Sequence, residues 1–146
     1  MPERETIERA KEDAREGKSP STQAGEFVRE EIHHVREGKH GARSPEQAIA
    51  IGLSKARRAG VKLKAPKGPE SVRRKAQQDT KAGQKATTKK TSKSRSRGVS
   101  RSLKRESTKT ASPGELSRQA KGSAASRGKR ARSTAARKAA PMRKAA

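Results

Sequence analysis

Two sets of side chains in this sequence have the types and spacing for chemistry. The first is cationic. Arg73, Arg74 and Lys75, then Lys89 and Lys90, Lys93, Arg95, Arg97, Arg101, Lys104 and Arg105, then Lys129, Arg130, Arg132, Arg137 and Lys138 recur through residues 71–146, a stretch holding 24 basic and 3 acidic side chains. A short charge run is ordinarily a solvated face. An excess of +21 over 76 residues repels itself, and its natural counterpart is a polyanion. DNA is the densest common polyanion, and release of its counterions drives association without any reading of bases. Phe27 is the one aromatic residue of the chain. Base stacking, on which single-strand and RNA-loop recognition depend, is therefore disfavoured, and duplex DNA is favoured over RNA. Five Ser-Arg dipeptides, starting at 94, 96, 100, 117 and 126, keep an RNA- or ribosome-associated role as the alternative. Phosphate on those serines would weaken anion binding.

The second set is the three histidines, His33, His34 and His40. Glu30 precedes His33, and Glu31 precedes His34, by the three residues that separate ligands in helical carboxylate metal sites. Such sites gather ligands from several helices, and no second matching motif is present. The histidines are accordingly read as surface residues, and no metal is assigned. The chain has no Cys, so disulfides, a thiol nucleophile and a Cys-type zinc site are excluded. No Gly-x-Ser-x-Gly, phosphate-loop or Gly-x-Gly-x-x-Gly pattern occurs, and the many serines have no positioned base. Neither catalysis nor a cofactor is expected.

The elements that must position these groups read as helices. Residues 1–40 carry 8 basic and 10 acidic side chains, net −2, and most large apolar residues precede residue 64, with only Val72, Val99, Leu103, Leu116 and Met142 after it. Helices are predicted over 3–17, 22–37 and 45–59. In the second of these, Phe27, Val28, Ile32 and Val35 share one face. In the third, Ile49, Leu53 and Ala56 form the stripe, with Ala48 and Gly52 beside it to allow close approach. Ser44-Pro45-Glu46-Gln47 sets a Ser at the N-cap, Pro at the first helical position and Gln two further on. Gly60 is the stop. The last two helices form an antiparallel hairpin, and about ten large apolar residues make it a marginal core. Self-association or a protein partner is the role left to this unit.

The Pro- and Gly-containing segment 63–70 reads as a linker between a helical unit, 1–62, and a low-complexity basic tail, 71–146. Helices near 71–80, 95–106 and 113–126 would each own one or two aliphatic residues, too few to pack. The expected fold is thus mainly α: a small N-terminal helical hairpin unit followed by a long, largely disordered basic tail with transient helices. No apolar run reaches the roughly 18 residues of a membrane span, and the basic helices lack the apolar face for a lipid surface, so no membrane partner is expected. The acidic N-terminus does not read as a targeting signal, which leaves cytoplasm and nucleoid as the expected compartment.

The block TQAGEFVREEIHHVREGKHGARSPEQAIAIGLSKARRAGV, residues 22–61, resembles the core of an uncharacterised family of small basic bacterial proteins, a domain of unknown function. Its most specific part is GKHGARS followed by QAIAIGLSKARRAGV. SRSRGVSRSLKRE and LSRQAK are similar to the tail segments of that family. The resemblance implies a bacterial source and no enzymatic activity, and it supplies no functional residues. The Ala/Lys/Arg/Pro tail is also similar, in composition alone, to linker-histone tails. The sequence thus predicts a non-enzymatic, sequence-independent DNA-binding protein, nucleoid-associated or histone-like. A protein-interaction or stress-response module with a polybasic tail is the reading from another class.

Overall fold

The computed structural model describes residues 1–85 and 92–144. They form helices α1 (Arg4–Arg15), α2 (Pro20–Arg36), α3 (Pro45–Arg58), α4 (Glu70–Gln84) and α5 (Lys93–Lys104), a 3-10 turn (Lys109–Ala111), then α6 (Pro113–Ser126) and α7 (Gly128–Lys144). The described residues contain no strand. Packing divides the chain into two units, Met1–Ala111 and Ser112–Ala146.

Local chemistry accounts for the helix starts. Ser44 accepts a hydrogen bond from the Gln47 N–H at 3.3 Å, and the Gln47 side chain reaches back to accept from the Arg43 N–H at 2.6 Å. Ser19-Pro20 does the same work for α2, with Ser19 Oγ accepting from Thr22 N–H. In the sequence Ser19-Pro20 stands out only as the end of the preceding helix, whereas it is also the cap of the next. Ser112-Pro113 repeats the device at α6, where Ser112 Oγ accepts from Glu115 N–H. Gly38 closes α2 in the left-handed region, at φ 71°, where an L side chain would be strained. The Lys39 N–H bonds back to His34 O, and the chain turns sharply over α2.

In the first unit α2 packs on both α1 and α3, and α4 packs on α3. Phe27 joins Ala10, Ala24, Ala56 and Val61 in one apolar cluster, flanked by Ile7, Leu53 and Leu63. Val35, Ala42, Ala48 and Ala111 form a second, flanked by Ile32. Of the residues assigned to helical packing, Phe27, Val35 and Ala56 are buried, and Val28, Ile32, Ile49 and Leu53 are half-buried. At Gly52 the two hairpin helices nearly touch: a Cβ there would stand 2.7 Å from Val28 Cα.

The long, largely disordered tail expected after residue 70 is contradicted. In its described part α4 to α7 are formed helices. The reason is packing that needs no large aliphatic residue. Ala76 and Asp79 are buried on the α3 side of α4, and Gly83 lies so close to the end of α3 that a Cβ would overlap the Arg57 carbonyl oxygen. The C-terminal end of α5 is held by main chain: Gly41 N–H donates to Leu103 O at 2.8 Å, and Ala42 N–H to Ser107 O at 3.1 Å. A Cβ on Gly41 would overlap the Glu106 carbonyl, so only glycine admits this approach. Arg36 Nε donates to Ala111 O at 2.8 Å, which fixes the 3-10 turn against α2. In the second unit α7 follows α6 after Arg127, and no residue of α6 or of 128–140 is buried.

Candidate nucleic-acid interface

The cations singled out in the sequence divide by what surrounds them. Arg74 is paired along its own helix with Glu70 at 2.6 Å, and Lys75 with Asp79 at 3.0 Å. Both remain exposed, as does Arg73. Asp79 is the hub where α3 meets α4: its carboxylate accepts from Ser54 Oγ at 2.7 Å, Arg58 Nε at 2.8 Å and Lys75 Nζ. Burial alone would raise its pKa. The three hydrogen bonds outweigh that, and the carboxyl is held below the ordinary aspartate value. The first cationic block is therefore partly spent on pairs within α4, while Ser54 and Arg58 tie α4 to α3 through Asp79.

The α5 cations are different. Lys93, Arg95, Arg97, Arg101 and Lys104, with Arg105 just beyond, are exposed, and no residue of α5 is buried. Among the described residues no carboxylate lies within ion-pair distance of any of the six. Helical spacing puts Lys93, Arg97, Arg101 and Lys104 on one face about 16 Å long, while Arg95 falls outside it. Val99 and Leu103 fall on the other side, and the Leu103 carbonyl is the one that holds the loop at Gly41. In the second unit Lys129, Arg130, Arg132, Arg137 and Lys138 are all exposed on α7 and spread round its axis rather than along one stripe. Lys89 and Lys90 lie outside the described residues.

Burial assigns the histidines differently from the sequence. His33 is exposed, as expected. His34 and His40 are only 13% and 18% exposed at their side chains, so their reading as surface residues is corrected. His40 Nε2 stands 3.1 Å from Glu31 Oε1, and His34 Nε2 stands 3.0 Å from Glu3 Oε1. Lys55 of α3 reaches the same place, 2.7 Å from Glu31 Oε2 and 3.1 Å from Glu30 Oε1. Burial pulls the Lys55 ammonium down, but its bonds to Glu31 and then Glu30 outweigh burial and raise its pKa. Glu30, which also accepts the Glu3 N–H at 3.0 Å, is held below the usual carboxylate value despite its burial. The spacing of Glu31 and His34 is visible in the sequence, but nothing there signals that the turn after Gly38 returns His40 to the same spot.

Leu53, assigned to packing, does two things: it flanks the Phe27 cluster, and with Ile51, Pro66, Val72 and Ala76 it lines a groove of about 700 Å³ between α3 and α4. Among the described residues no helix is long and apolar enough to cross a membrane. Compared with protein-family models, with curated proteins and with solved structures, the chain matches none.

Proposed function

We propose that this is a non-enzymatic nucleic-acid-binding protein that holds duplex DNA without sequence preference through the exposed cations of its basic C-terminal half, those of α5 foremost. The observation that carries the reading is the set of exposed cations on α5 with no acidic partner among the described residues. A cation already paired within the protein gains little by meeting a phosphate, because one ion pair is exchanged for another. An unpaired one gains the pairing and releases a counterion from the DNA. Residues 92–144 hold 17 basic and 2 acidic side chains, so the supply is large. Ordered helices also favour the reading: cations at fixed spacing cost less conformational entropy on binding than the same cations on a disordered chain. On this proposal the protein belongs on the bacterial nucleoid.

The test is the salt dependence of binding by the full chain to labelled duplex of mixed sequence, with structured RNA as competitor. Neutralisation of about eight phosphates gives a slope of about −7 for log K against log salt. A slope near zero removes charge as the cause of binding. Structured RNA that displaces the duplex at lower concentration than unlabelled duplex does would move the assignment to RNA.

A further inference from the structure

We propose that Glu31, His34 and His40 form a binding site for one first-row transition-metal dication, with zinc the best match to the donors. One ligand atom from each of the three lies within 4.8 Å of the others. Glu31 and His34 are one turn apart on α2, and the turn closed by Gly38 carries His40 back over them.

The hydrogen bonds around the imidazoles favour this chemistry. His40 Nδ1 faces the Gly41 carbonyl at 3.0 Å and must donate to it. That leaves Nε2 as the lone-pair nitrogen, and Nε2 faces Glu31 Oε1 at 3.1 Å. Two lone-pair atoms at that separation repel unless a cation stands between them, either a proton or a metal. His34 Nε2 donates to the Glu3 carboxylate at 3.0 Å, so Nδ1 is the lone pair it has to offer. A ligating imidazole whose other nitrogen donates to a carbonyl or carboxylate is the common arrangement round protein metals. Glu31 is 1% exposed; Lys55 Nζ stands 2.7 Å from its Oε2, and Oε1 is the oxygen that faces His40.

Donor type chooses the ion. Glu3, Glu30, Glu31 and Glu37 cluster here against Arg9, Arg29, Lys39 and Lys55, a charge-balanced place in a chain whose net charge is +24. Calcium and magnesium prefer oxygen ligands alone, whereas two imidazoles and a carboxylate suit zinc. Donors of a tetrahedral zinc site stand about 3.4 Å apart; Glu31 Oε1 and His40 Nε2 are already at 3.1 Å, so the adjustment on loading falls to the His34 ring. Three protein ligands leave the fourth position to water. Of the three ligands, His34 lines a cavity of about 300 Å³, which it shares with His33, Arg9 and Arg29.

Zinc chloride titrated into the full chain near neutral pH, followed by NMR of the imidazole rings, tests this in the unmodified protein. The three ring signals are assigned by single His→Gln substitutions. The His34 and His40 signals should move together and saturate at one equivalent, with His33 unmoved. By calorimetry His40→Gln should weaken zinc binding by about tenfold or more, the usual penalty for damage around a metal ligand. His33→Gln should match the parent chain. No saturation by about 100 µM zinc, far weaker than protein zinc sites bind, would overturn the site and leave a plain histidine–carboxylate contact. Equal movement of His33, or a folded His40→Gln chain that binds as the parent does, would overturn it too. If His40→Gln does not fold, the ring spectra of the parent chain decide.

Discussion

Replacing Gly52 by alanine should weaken the fold, and the same change at Gly25 should strengthen it. Both glycines sit inside helices, where alanine is intrinsically better by about 1 kcal/mol. A Cβ on Gly25 meets nothing within 4 Å, so that gain is kept. A Cβ on Gly52 would stand 2.7 Å from Val28 Cα, 3.0 Å from Phe27 O and 3.0 Å from Val28 Cγ2. Two of these three are backbone atoms and cannot rotate aside, so α2 and α3 must separate by about 0.7 Å to reach ordinary van der Waals distance. Overpacking of this kind costs about 1–3 kcal/mol, and a backbone obstacle puts it at the upper end. After the helix-propensity gain the net loss is about 1–2 kcal/mol, and the two variants should lie about 2–3 kcal/mol apart. Urea unfolding followed by far-ultraviolet circular dichroism measures both midpoints. Gly52→Ala shifting the midpoint upward as far as Gly25→Ala would show that α3 does not lie against α2 at Val28.

Three further outcomes are expected. Gly83→Ala should loosen α4 from α3, since its Cβ would overlap the Arg57 carbonyl oxygen; amide exchange should rise in α4 and stay unchanged in α2. Asp79, whose folded pKa is depressed, contributes stability that is complete above its unfolded value and declines as pH falls below about 4 toward the folded value, because there the unfolded chain binds the extra proton. Asp79→Asn should therefore flatten the acid side of the stability profile, and a parallel profile for the two chains would refute the role. Changing Lys93, Arg97, Arg101 and Lys104 together to Gln should reduce the salt slope of DNA binding by about 3–4, near one for each phosphate no longer neutralised. Circular dichroism should show α5 retained, because its anchorage runs through main-chain bonds to Gly41 and Ala42.

Features that depend on near neighbours along the chain are legible in the order of residues. Ser44-Pro45 with Gln47 marks a helix start because the cap, the fixed proline φ and the returning amide all lie within four residues. Phe27, Val28, Ile32 and Val35 reveal a buried face because helical periodicity is local, and the basic bias after residue 70 needs no structure at all. Whether that basic half is ordered is a question of tertiary packing. A count of large aliphatic residues predicts disorder there, but α4 is seated by Ala76, a hydrogen-bonded Asp79 and a glycine pressed on a carbonyl, and α5 by two main-chain bonds across some sixty residues. None of these has a signature in hydrophobic pattern, since small residues and backbone amides look alike whether or not a partner stands opposite. The histidines show the same division. The spacing of Glu31 and His34 follows from one helix, whereas the arrival of His40 depends on the path of the chain after Gly38, which is set by what that turn packs against.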